Sequence, residues 1–142
     1  MQKILEKFDY ESLLIKEYKN WYLILRKEQT TLGSLVLIEK SFKTKYSDIS
    51  SQSFLEFGEV VKEIERTLSA LFIYDKINYL MLMMVDDEVH YHIVPRYSHD
   101  KIFDDIIFKD NDWKGPPNFN EFNKIDNETR KNLIKLIKNS LE

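Results

Sequence analysis

The chain has 142 residues, 43% hydrophobic and 13% aromatic, enough to bury one core and too much for a disordered segment. It has no cysteine, which excludes disulfides, thiolate nucleophiles and cysteine-based zinc sites. The formal net charge is −3 with acids and bases interspersed, so the basic stripe that nucleic-acid binding requires is missing.

The N-terminus, Met1-Gln2-Lys3-Ile4-Leu5-Glu6-Lys7, is charged and interrupted, unlike a signal peptide, and no apolar run approaches the length of a membrane span. The expectation is a cytoplasmic protein with no membrane or nucleic-acid partner. Lys3 to Lys19 reads as a helical segment offering Ile4, Phe8, Leu13, Leu14 and Ile15 for burial. Trp21–Arg26 and Ser34–Glu39 are aromatic or β-branched enough for two strands, joined as a hairpin by the polar, glycine-ended stretch Lys27–Gly33. Ser47–Ser53 is a serine-rich loop, and Ser53 with Glu56 has the spacing of a capping box. Phe54, Phe57, Val61, Ile64, Leu68, Leu71 and Phe72 then recur at three- and four-residue steps, which predicts a long amphipathic helix ending near Tyr74-Asp75.

Ile77–Val85 is almost unbroken in its apolar character, the pattern of a central strand covered on both faces, and Asp86-Asp87 supplies a polar turn after it. Ser98–Phe122 reads as irregular, with Trp113-Lys114-Gly115-Pro116-Pro117 its strongest turn signal. Asp126 or Asn127 caps a last helix carrying Leu133, Ile134, Leu136, Ile137 and Leu141. Lys131, Lys135 and Lys138 share part of that helix and read as a solvated face. The order of elements predicts one α+β domain over residues 1–142: a mainly antiparallel sheet of about five strands, a long central helix and a C-terminal helix.

The chemistry concentrates in Glu88-Val89-His90-Tyr91-His92-Ile93-Val94-Pro95-Arg96. On a strand, Glu88, His90, His92 and Val94 would share one face, and Val89, Tyr91 and Ile93 the other. Three readings fit these residues. The two histidines could be satisfied structural residues. Glu88, His90 and His92 could form a two-histidine, one-carboxylate metal site, although the barrels that use histidine in this way need more strands and glycine turns than this chain supplies. Or one imidazole could attack phosphorus to form a phosphoramidate while the other holds phosphoryl oxygens.

Val89-His90-Tyr91-His92-Ile93-Val94-Pro95-Arg96-Tyr97 resembles the signature strand of the histidine triad (HIT) family of nucleotidyl hydrolases and transferases. Gln29-Thr30-Thr31-Leu32-Gly33-Ser34-Leu35-Val36-Leu37-Ile38 is similar to that family's first hairpin, and the resemblance is strongest over residues 21–97. It implies an α+β fold that usually forms a homodimer. It also implies that His90 is the nucleophile nucleotidylated on the α-phosphate, that His92 orients the phosphate, and that the second ring nitrogen of His90 donates to a nearby backbone carbonyl.

The sequence departs from the family pattern in three places. Glu88 stands at the first triad position and sets a negative charge beside an anionic substrate. Met83-Met84-Val85-Asp86-Asp87 occupies the place of a polar stretch that assists the leaving group. Ser34 stands where many members have histidine. Arg26 lies near the family's nucleotide-ribose position. Arg96 is expected to support a loop or the dimer surface, with a substrate contact as the alternative, and His99 to be an exposed loop residue.

The expected activity is that of a nucleotide phosphate hydrolase or nucleotidyltransferase working through a nucleotidyl-histidine intermediate, on a dinucleoside polyphosphate or a nucleoside phosphoramidate. The other reading is a catalytically weak or inactive nucleotide-binding module of the same fold. The sequence requires no resident cofactor, and a divalent metal would accompany the nucleotide.

Overall fold

The computed structural model describes residues 1–141. The elements in chain order are α1 (Lys3–Lys7), α2 (Tyr10–Leu13), β1 (Leu14–Glu17), β2 (Trp21–Leu25), β3 (Leu35–Glu39), α3 (Ser51–Phe72), β4 (Lys76–Leu80), β5 (His90–Arg96), β6 (Lys101–Phe103), β7 (Ile106–Phe108) and α4 (Asn127–Ser140). The first five strands form one antiparallel sheet in the order β1-β2-β3-β5-β4, as the α+β expectation required. No helix among the described residues is long and apolar enough to cross a membrane.

The two faces of the sheet are covered differently. Tyr91 stacks on Phe57 at 4.7 Å between ring centroids, and Trp21 packs on Phe57 at 5.3 Å, so the face carrying Trp21 and Tyr91 lies against α3. Val60, Ile64, Leu68 and Phe72 of α3 are buried with Leu133 and Ile137 of α4. Strand alternation sends Tyr22, Arg26, Ser34, Val36, His90 and His92 to the opposite face. Around His90 and His92 that face is covered by Phe8 from the N-terminal segment and by Phe119 from the loop before α4 rather than by a long helix.

Several local expectations are corrected. Lys3–Lys19 is not one helix. Asp9 adopts the left-handed conformation (φ 53°), which a short polar side chain tolerates, and Leu14–Glu17 pairs with β2 as a strand. The cap of α3 is Ser50, whose Oγ accepts from Ser53 N at 3.1 Å, one turn before the predicted start. Ser53 Oγ instead donates to the buried Glu39, and Glu56 accepts from Asn20 N at 2.7 Å, tying the helix to the sheet rather than closing a capping box. The helix ends at Phe72, where Ile73 turns left-handed (φ 51°), slightly before the predicted Tyr74-Asp75.

The apolar run Ile77–Val85 is not a doubly covered central strand. Only Lys76–Leu80 is extended, half-buried at the edge of the sheet, and Met83 at φ 50° lies in the loop that follows. The centre of the sheet is β3, and β5 lies between it and β4; every residue of both β3 and β5 is buried. Nor is Ser98–Phe122 wholly irregular. It holds the β6–β7 hairpin, whose two turn residues, Asp104 and Asp105, both take positive φ as a type I′ turn demands. The final helix starts as expected, with the Asp126 side chain accepting from Thr129 N.

Candidate active site

His90 and His92 project from the first half of β5, with Ile38 and Val36 of β3 beside them and Leu80 of β4 on the other flank of His92. Their ring centroids are 5.1 Å apart, nearly edge to face at 79°. His90 is 2% exposed and His92 7%. The strand begins at His90, so Glu88 lies just outside the pleat and does not extend the histidine row. Its contribution is a main-chain atom: Glu88 O lies 2.6 Å from His90 Nδ1. A carbonyl only accepts, so Nδ1 carries the proton and Nε2 keeps its lone pair. This is the arrangement a nucleophilic imidazole needs, and it survives whatever side chain stands at position 88.

His92 is held neutral. Burial pushes its pKa down to about 4, and the neighbouring His90, Arg26 and Lys7 act in the same direction while Asp86 opposes them. A neutral ring offers one N–H and one lone pair, suited to holding a phosphoryl oxygen without adding a fixed charge.

Three residues without a sequence signal complete the site. Phe8, at the end of α1, lies 5.8 Å from the His90 ring and 5.9 Å from the His92 ring. Lys7 beside it pairs with Asp86 at 2.5 Å, joining the N-terminal segment to the loop that leads into β5. Phe119 approaches from the other end of the chain, 4.8 Å from the His92 ring. None of these residues carries a periodicity or a motif. Tertiary packing alone brings them to the histidines.

Among the described residues no three His, Cys, Asp or Glu side chains converge in a way that could hold a metal ion. Glu88, His90 and His92 do not form such a group.

No protein-family model matches the chain, and no curated protein sequence matches it. Solved structures do. A histidine triad protein from Sinorhizobium meliloti aligns over 99% of this chain and 95% of its own at 15% identity, with a TM-score of 0.77. A hypothetical histidine triad nucleotide-binding protein from Sulfolobus tokodaii aligns over 96% and 88% at 20% identity, with a TM-score of 0.70. A third, from Bradyrhizobium japonicum, covers 100% and 97% at 15% identity and a TM-score of 0.71. The chain has the histidine triad fold.

Within the histidine triad fold the remaining predicted residues separate. Arg26 reaches the histidine face: its Nη1 donates to Glu28 O at 2.8 Å, and its Cζ lies 4.5 Å from the centre of the Phe119 ring. Burial lowers its pKa. Arg96 shares the strand but serves a loop. It donates to both carboxylate oxygens of Asp110 at 2.8 and 3.0 Å, to Asn78 Oδ1 at 2.8 Å and to Gly115 O at 2.7 Å. These four hydrogen bonds tie β5 to Asn78 of β4 and to the loop around Asp110 and Gly115. Ser34 is wholly buried and closes the β2–β3 loop by donating to Thr31 O and accepting from Thr31 N. His99 is exposed.

Proposed function

We propose that this protein is a nucleotide phosphate hydrolase or nucleotidyltransferase whose nucleophile is His90. The observation that carries the reading is the 2.6 Å contact between His90 Nδ1 and Glu88 O, which fixes the tautomer and leaves Nε2 free. In the first step Nε2 attacks the α-phosphorus. A P–N bond forms, the bond from phosphorus to the leaving group breaks, and the leaving group departs with the electron pair. In the second step water or another acceptor attacks the same phosphorus, and the P–N bond returns its electrons to His90. His92 donates to a phosphoryl oxygen as charge builds there. Substrates with a phosphoanhydride or phosphoramidate bond, such as dinucleoside polyphosphates and nucleoside phosphoramidates, fit this sequence of steps. A divalent cation would enter on the nucleotide's own phosphates.

The test is rapid acid quench with candidate nucleotides followed by peptide mass spectrometry. A nucleotidyl adduct on His90, absent in a folded His90→Ala variant that no longer turns over, is the expected result. An adduct on another residue, or turnover by His90→Ala, sinks the proposal. A specific observation supports a second reading as a binding module of slow or no turnover: both rings are nearly covered, and Asp86 is paired with Lys7 instead of offering a donor to a leaving group. Calorimetric binding of a nucleotide with no product formed would favour it.

We also propose a homodimer formed through the β4 edge. The outer side of β4 pairs with no strand, and an open groove of about 790 Å³ runs between β4 and residues 113–117. Leu82, Met84 and Val85 beyond β4 are exposed. Light scattering at micromolar concentration reads the mass; a strict monomer overturns this part.

A further inference from the structure

The segment from Gly115 to Asn123 crosses the histidine face and is anchored at both ends. At one end Arg96 Nη1 donates to Gly115 O at 2.7 Å. At the other, Asn123 N donates to Gln29 O at 2.8 Å, and Asn123 Nδ2 reaches Gln29 O at 3.1 Å and Thr30 O at 3.3 Å. Gln29 is itself wholly buried and braces the β2–β3 loop, with Nε2 donating to Arg26 O and Ser34 O. The segment is therefore a strap with fixed ends.

Phe119 sits between those ends, half-buried. Its ring touches two groups at once, the Arg26 guanidinium at 4.5 Å and the His92 imidazole at 4.8 Å. A guanidinium over an aromatic face is attracted by the ring quadrupole, more so where water is excluded. The same two side chains hold the two buried polar atoms that lack a protein partner among the described residues, Arg26 Nε and His92 Nδ1. Arg26 Nε is always a donor, and His92 Nδ1 donates in one tautomer of the neutral ring. A native site rarely leaves two such atoms unmatched together unless something from outside meets them.

We propose that Phe119 is a positioning residue: the strap holds its ring against Arg26 and His92, fixing the two as one unit whose free nitrogens receive an anionic oxygen of the nucleotide. The inference rests on the nucleotide reading for the identity of the ligand. The held geometry exists without it.

The charged and titratable groups around His92 are His90 on its own strand, Arg26 from β2, Lys7 from α1 and Asp86 from the loop before β5. Of these only Arg26 touches Phe119, so a shift after that change reports the loss of the ring together with the release of Arg26.

The experiment uses the full chain, nitrogen-15 labelled and free of ligand. His92 ring titration and Arg26 Nε–H exchange are followed by NMR in wild type, Phe119→Ala, Phe119→Leu and Phe119→Tyr. Phe119→Ala is expected to raise the His92 midpoint by about one pH unit as water reaches the ring, and to speed Arg26 Nε–H exchange about tenfold. Phe119→Tyr keeps the aromatic face and is expected to restore both. A folded Phe119→Ala protein with the wild-type midpoint and exchange rate overturns the proposal. If Phe119→Ala does not fold, Phe119→Leu decides: it fills the space without a π face, so Arg26 exchange must still accelerate, and unchanged exchange overturns the proposal. Absence of a nucleotidyl adduct would remove the transfer reading alone, because these readouts need no ligand.

Discussion

Replacing Arg96 by methionine separates a loop anchor from a substrate ligand. The Arg96 and Asp110 side chains are each 4% exposed, so their ion pair is effectively dry. Methionine fills much of the volume but leaves the Asp110 carboxylate buried without its cation, and it removes the donors to Asn78 Oδ1 and Gly115 O. Only Tyr97 N, at 3.0 Å, still donates to Asp110. Removing one partner of a buried pair costs about 3–5 kcal/mol, and in a domain of this size that lowers Tm by roughly 10–20 °C. Urea denaturation of wild type and Arg96→Met, with a second variant that also carries Asp110→Leu, measures the effect. The double variant should regain much of the loss, because it no longer buries an unpaired charge. The reasoning is refuted if Arg96→Met stays within about 1 kcal/mol of wild type while its KM for nucleotide rises tenfold or more. Arg96 would then contact substrate.

Acid should expose His92 in a stability measurement. Its folded pKa of about 4 lies below the ordinary 6.5, so the unfolded chain takes up the proton first as pH falls. The stability contributed by the neutral ring is complete above pH 6.5 and is lost between there and about 4, some 3 kcal/mol in total. His92→Asn should flatten that part of the curve, and equal slopes in both proteins would contradict the assignment. Asp75 and Asp126, held low by hydrogen bonds from Ser98 and Thr129, contribute the same acid loss to both proteins and cancel in the comparison. Gly33→Ala should cost about 1–3 kcal/mol in denaturant titrations, since Gly33 has φ 85° and a Cβ there would lie 3.1 Å from Phe72. Ser50→Ala should remove the cap of α3 for about 1 kcal/mol, whereas Ser53→Ala should act through Glu39 and leave the helix start unchanged in amide exchange.

The histidine strand was legible because a period of two is a local property: His90 and His92 share a face wherever the strand goes. The long helix was legible for the same reason, through its three- and four-residue steps. Sheet order is not local. Ile77–Val85 has the composition of a central strand, yet β3 takes the centre by pairing with β2 and β5, and β4 is left at the edge beside β5. The four residues of β1 are too few to reveal a period beside an apolar helix pattern. The β6–β7 hairpin did leave a signal in Asp104-Asp105 between Ile102-Phe103 and Ile106-Ile107, which was hidden by the polar residues around it. Phe8 was legible only as an apolar residue to bury, and Lys7 and Phe119 not at all, since Lys7 meets Asp86 from 79 residues away and Phe119 meets His92 from an irregular loop. The Glu88 departure leaves the contact to His90 Nδ1 intact for a physical reason: that contact uses its carbonyl, and every residue has one.

The clamp on His90 spans two residues, while the aromatic walls of the histidine pair come from distant parts of the chain, Phe8 from the N-terminal segment and Phe119 from the loop before α4. Its hydrogen bond forms as soon as residues 88–90 take up their extended turn. Phe8 and Phe119 can arrive only after β3 and β5 have paired across a segment containing all of α3. The tautomer of His90 is thus set within residues 88–90, and the aromatic cover over the histidines is added last. A molecule whose termini fray still presents a correctly protonated imidazole, now to any phosphate ester within reach. Hydrogen exchange at residues 1–13 and 115–123 running ahead of that in β5 would be the trace of this order. For the nucleotidyl transfer proposed above, selectivity would then reside in the parts of the fold that open most easily, and reactivity in the part that opens last.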